Sequence, residues 1–202
     1  MDRIRFISAI PLNTEKFKTL RINNIELKDS MALLDGSLEK LIETLKRSNH
    51  AFPLMQKIFP RESQRELLKM KSFFPYEFCH SIKQLEKQNT LPERKEFFSK
   101  LSMQTISEEN YEHAQKVWKA FNCKNMIDYT KIYVKSDCIL LAEVIQTFRK
   151  KIYDEFKLDA VHFISLPSLA KEIMLKVQVI DNLIFDLINI CLPGFGLCIR
   201  SY

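Results

Sequence analysis

The sequence predicts an α+β chain, rich in helix and poor in strand. Three observations carry that expectation. From Asn122 to Leu158 apolar residues recur every three or four positions with no Gly or Pro between them, the period of one long helix. Only three Gly occur, at 36, 194 and 196, so tight turns are few. Two short strand-like runs flank Asn23-Asn24 near the start, and a sheet of two or three strands does not stand alone. The expectation is a part of a larger sheet protein whose first strands lie outside this sequence.

Taken in order, residues 3–10 (RIRFISAI) predict a strand. FKTLRI and IELKD predict strands over about 17–22 and 25–29, joined as a hairpin at Asn23-Asn24 because Asn accepts a positive φ. Asp35-Gly36-Ser37 predicts a turn, with Ser37 capping a helix over 38–48 whose apolar face is Leu38, Leu41, Ile42 and Leu45. Residues 49–60 hold two Pro and predict a loop. A short basic helix is expected over 62–71, then the aromatic segment FFPYEF around Pro75. Ser81 predicts the cap of a helix running through Gln88, and Pro92 opens an irregular stretch with Phe97 and Phe98. Ser107 caps SEENYEHAQKVWKAF, whose acidic first turn suits the helix dipole. Asn122 separates that helix from the long one. The chain then turns through Asp159, and Pro167 fits the first position of a helix over 167–177. There is no repeat and no low-complexity linker.

The long helix carries the residues with chemistry. Tyr129, Tyr133, Leu140, Leu141, Val144, Phe148, Ile152 and Phe156 define one face, and Asp137 lies on it between Tyr133 and Leu141. A carboxylate in an apolar stripe is costly unless something compensates it. It calls for a basic partner, a metal ion or a water-filled cleft. Tyr133 stands four residues earlier, so phenol and carboxylate project to one side about one turn apart. Such a pair can ligate a divalent cation and orient a water. A half-buried Asp paired with a Lys from elsewhere fits the same spacing.

Composition narrows the classes further. Three Gly exclude a P-loop, a dinucleotide-binding GxGxxG and a Gly-rich kinase loop. The net charge is +6, and residues 1–100 carry 19 Lys/Arg against 13 Asp/Glu, so the basic excess lies in the first half. That suits a polyanionic partner and is also common in ordinary soluble proteins. The five Cys form no CxxC pair and the four His have no metal-ligand spacing. An odd Cys count without a signal peptide predicts free thiols in a reducing, intracellular compartment, nucleus or cytoplasm. Residues 182–199 are apolar over about the length of a membrane span. They include Asp186, Asn189 and Pro193, which predicts a buried segment missing its cover and no membrane partner.

Three blocks carry a family resemblance: IELKDSMALLDGSLEKLIETL, FFPYEF, and YEHAQKVWKAFNCKNMIDYTKIYVKSDCILLAEVIQTFR. From about Ile10 to about Val177 the chain resembles the protein-primed family B DNA polymerases of some viruses, organellar plasmids and Maverick/Polinton-like transposons. The last block looks like the third 3′–5′ exonuclease motif of that family, in which Tyr and Asp lie four apart, here Tyr133 and Asp137. The resemblance implies that Asp137 ligates a catalytic Mg²⁺ and Tyr133 positions the attacking water. Ser37, Leu38 and Leu41 match a family motif that contacts the single-stranded 3′ end, and Lys71 with Phe74 matches a second one. The implied partners are DNA, as a single-stranded 3′ end and a primer–template, and a terminal protein primer. The implied fold is a partial ribonuclease H-like exonuclease domain over 1–158, lacking its first strands, followed over 159–202 by the start of a polymerase domain.

Departures from the family bear on activity. Its exonuclease resembles a two-metal hydrolysis that draws carboxylates from three motifs. The first, a DxE strand, and the second, an Asn with a following Asp, would precede residue 1. The polymerase metal ligands would follow residue 202. The Gly-rich motif joining the two domains is expected near 185–200, where LINICLPGFGLCIRSY stands instead; a changed reading frame or an aberrant exon end would account for that tail. The chain is therefore expected to lack activity by itself. The competing expectation is a non-catalytic basic helical protein, derived from such an element, that binds DNA or a protein partner.

Overall fold

In a computed structural model the described residues are 6–191 except Glu15 and Asp35, with side chains described up to Gln178. The chain divides into two compact units, one formed by residues 1–35 and 148–202 and the other by 36–147.

The first unit holds the sheet. Strands β1 (Ile7–Pro11), β2 (Phe17–Ile22) and β3 (Ile25–Lys28) run antiparallel in the order β1-β2-β3. The β2–β3 hairpin turns at Asn23, which adopts φ 53° as its place in the sequence predicts. The strand expected over 3–10 is found over Ile7–Pro11, and residues 1–5 lie outside the described residues. Register pairs Ile7 with Ile22 and Ile22 with Ile25, and Ala9 with Leu20 and Leu20 with Leu27. The two-residue strand period therefore collects six apolar side chains on one face. Ile7, Ile25 and Leu27 on that face are 60%, 66% and 54% exposed. The Lys28 ammonium donates to the Val161 carbonyl at 2.5 Å, tying β3 to the turn after the long helix.

In the same unit, Asp159 accepts a two-pronged bond from the Arg149 guanidinium at 2.9 and 2.6 Å and also caps the short turn Ala160–His162. The last helix differs from its expected span of 167–177: it runs Leu166–Cys191, so Pro167 occupies the second helical position. The helix continues because no Gly or Pro interrupts residues 168–192. Among the described residues no helix is long and apolar enough to cross a membrane. The divergent stretch 192–202 lies outside the described residues.

The second unit is helical. Helix α1 spans Leu38–Arg47, with Ser37 Oγ accepting from the Lys40 N–H at 3.4 Å. Helix α2 (Pro53–Ile58) stands where a loop was expected. Pro53 opens this helix, a position that needs no N–H and suits proline's fixed φ. Helices α3 (Glu62–Leu68) and α4 (Ile82–Lys87) follow, both shorter than expected, with Ser81 capping α4. Helix α5 (Glu108–Ala120) is capped by Ser107 and packs on α3, whose Gln64 amide donates to the terminal Ala120 carbonyl at 2.8 Å. Asn122, at φ 50°, reverses the chain into α6 (Met126–Phe156), the expected long helix; α7 is Leu166–Cys191. The core of the second unit is built from Ile42, Phe52, Met55, Leu68, Met126, Tyr129 and Leu140, all almost fully buried.

Candidate functional site

Helix α6 delivers Tyr129, Tyr133, Ser136, Asp137 and Glu143 along its packed side, and residues 71–76 run beside it. Three hydrogen bonds hold that segment. The Tyr129 hydroxyl donates to the Phe73 carbonyl at 2.7 Å. Ser136 donates to the Tyr133 carbonyl at 2.9 Å, so its oxygen is left to accept from Ser72 Oγ at 3.3 Å. Both serines are buried. The Tyr76 and Tyr133 hydroxyls are bonded to one another. Phe74 stacks on Tyr133 with ring centroids 5.0 Å apart, and Tyr76 meets Phe74 edge-on at 5.2 Å. Phe74, Tyr76 and Tyr133 thus form one aromatic wall.

That wall lines a groove of about 500 Å³ whose other side is built from residues 97–110. Lys71 and Ser72 also line it, and Glu39 brings in the first turn of α1. Burial, the bond to Tyr76 and the charge of Asp137 together hold the Tyr133 phenol far above its ordinary pKa, so it is a neutral donor.

Asp137 is half-buried, and its Oδ1 is buried with no hydrogen-bond partner. Burial raises its pKa above the ordinary carboxylate value. The Tyr133 hydroxyl, the Lys71 charge and the Ser72 N–H oppose that shift without cancelling it. Tyr133 lines the groove, whereas Asp137, one turn along, is not on its wall and has one carboxylate oxygen shielded from solvent. A buried carboxylate oxygen without a partner costs on the order of 1–3 kcal/mol unless a cation or donor meets it.

The structure brings together Tyr133, Asp137 and Lys71, and Lys71 and Phe74, paired by the family resemblance, both line the groove. Ser37 caps α1 but is not on the groove wall, nor is Leu38; the helix reaches the groove through Glu39. Sequence reasoning missed Glu143. It is 1% exposed, accepts from the Met55 N–H at 3.0 Å and lies 3.1 Å from His50 Nε2. Because Phe52 has no side chain able to cap α2, Glu143 does so from across the core. Its signal was available: Glu143 lies between Leu140 and Val144 on the apolar stripe, the same pattern that drew notice to Asp137. Among the described residues no three His, Cys, Asp or Glu converge to hold a metal ion. Asp137 alone therefore does not make a Mg²⁺ site, since that ion needs near-octahedral oxygen coordination.

The scaffold thus sets a phenol on an aromatic, lysine-bearing groove, with a carboxylate one turn away. The comparisons with known proteins give the family. The family model for organellar and viral DNA polymerase type B matches residues 8–185, and the chain belongs to that family. A protein of Neurospora intermedia named "Probable DNA polymerase" is 29% identical over 192 residues, a match that covers 90% of this chain and 16% of the relative. The chain thus spans about a sixth of that relative's length, 16%. No solved structure matches it.

Proposed function

We propose that the chain is a segment of a template-directed family B DNA polymerase with 3′–5′ proofreading, serving DNA replication of a virus or mobile element and primed by a terminal protein. Residues 1–158 are the later part of a ribonuclease H-like exonuclease domain, and 159–202 begin the polymerase domain. The observation that carries this reading is the Tyr133–Asp137 pair: a neutral phenol at the groove and, one turn away, a buried carboxylate oxygen without a partner. In that role Tyr133 orients a water and Asp137 supplies one oxygen ligand to Mg²⁺ in the complete enzyme. Lys71 neutralises a phosphate of the single-stranded 3′ end, and Ser37 and Leu38 contact that strand further along. Among the described residues nothing completes a two-metal centre, and the expected outcome is that the chain by itself neither degrades nor extends DNA.

The test belongs in the complete polymerase. Asp137→Ala should abolish 3′–5′ degradation of a labelled primer and leave nucleotide addition intact, a split that loss of folding would not give. Undiminished degradation would remove Asp137 from the nuclease site.

A further inference from the structure

We propose that Gln104 and Asn110 hold the edge of an unpaired nucleobase in the groove beside Tyr133. This rests on reading the groove as the seat of a single-stranded 3′ end and names the residues that meet the base. The groove's two sides differ in chemistry. One is the aromatic wall of Phe74, Tyr76 and Tyr133. The other, residues 97–110, is mainly polar apart from Phe97 and Ile106, and is pinned by hydrogen bonds. The Ser99 N–H donates to the Gln104 carbonyl at 2.9 Å, Ser107 Oγ accepts from the Asn110 N–H at 3.2 Å, and the Arg94 guanidinium donates to the Ile106 carbonyl at 2.8 Å. These bonds use backbone groups and serine oxygens. They leave the side-chain amides of Gln104 and Asn110 on the groove wall with no hydrogen-bond partner among the described residues.

An amide offers a donor and an acceptor side by side, the pattern that base edges complement. Aromatic faces take a base by stacking whatever its identity. Among the described residues Lys71 is the one cation on the groove wall, and Glu39 offsets it. A run of phosphates would need more positive charge, so the base rather than the backbone is the group that fits between these sides. A volume of about 500 Å³ accommodates a ligand the size of one nucleotide.

The test is binding of fluorescein-labelled five-nucleotide DNA to the full chain at several salt concentrations. The probes are an oligo-dT, an oligo-dA and an abasic strand of the same length. Gln104→Ala and Asn110→Ala should each weaken binding of the base-bearing probes about tenfold. Neither should change affinity for the abasic strand or the slope against salt. Lys71→Ala should weaken all probes alike and reduce the salt slope by about one. Unchanged melting temperatures would exclude misfolding, and both amides are on the groove wall rather than in the core. If Lys71→Ala loses affinity while both amide variants match the wild type, the base contact is wrong and the groove reading survives. Equal losses on the abasic strand would likewise overturn the base contact. If Lys71→Ala also binds like the wild type, or the wild type binds none of the probes at low salt, the groove reading itself falls, and this proposal with it.

Discussion

Two aspartates show how differently one residue type can serve the chain. Asp159 is gripped by Arg149, whose hydrogen bonds hold its pKa down at about 2, against 3.8 for an unperturbed side chain. Its folded-state pKa is depressed, so its contribution is fully present above pH 4 or so and is lost as pH falls towards 2. Asp137 has the opposite sign: burial raises its pKa, so folding binds a proton more readily than the unfolded chain and stability falls as pH rises through that raised value. Asp159→Asn should therefore lower the melting temperature at pH 7, and Asp137→Asn should raise it. Both differences should shrink in acid, as thermal melts across pH 3–7 would show. Glu143→Ala should cost about 3 kcal/mol by denaturant titration, because it strands the buried Met55 N–H and leaves the half-buried His50 without its carboxylate. Asp137 was legible from its place in an apolar stripe. The unpartnered state of its Oδ1 was not, since that depends on where residues 71–76 run.

At the scale of elements, the sequence reading succeeded wherever one local signal acted alone. Ser37, Ser81 and Ser107 all cap the helices they were expected to cap, and the uninterrupted period over α6 gave its span to within a few residues. It failed where a residue carries two meanings. Pro53 and Pro60 suggested a loop, yet a proline is at home in the first turn of a helix, and α2 starts on one. What sustains so short a helix is the distant Glu143, which no window along the sequence contains. The aromatic segment FFPYEF was noticed as a cluster, but its pairing with Tyr133 depends on the tertiary path of the chain. The caps differ in strength, and at 3.4 Å the Ser37 bond is long. Ser37→Ala should cost about 0.5–1 kcal/mol, read from the shift in denaturant midpoint. Ser37→Asp should recover it.

For the whole molecule, the sheet presents an apolar face, and among the described residues no cluster of His, Cys, Asp or Glu could hold a metal ion. Purified chain incubated with labelled primer–template, Mg²⁺ and nucleotides should neither shorten nor extend the primer. It should still associate with single-stranded DNA through its basic residues, loosely and less so as salt rises. A change in primer length that EDTA abolishes would show that the chain assembles a metal site after all. The fold class was readable because helix period and glycine scarcity are properties of the whole chain. The exposed sheet face was not, because strand register decides which side chains share a face.

The same packing that builds the groove gives the chain an optical reporter. Trp118 is the only tryptophan, and its ring lies 5.8 Å from that of Tyr129. Tyr129 is in turn bonded to Phe73, next to the stacked Phe74 and Tyr133. At that range an excited tyrosine passes its energy to the indole before it can emit. Light absorbed by Tyr129 should therefore leave as tryptophan fluorescence while the second unit is folded. Tyrosine emission should return as the rings part, so opening of the region beneath the groove can be followed without a label.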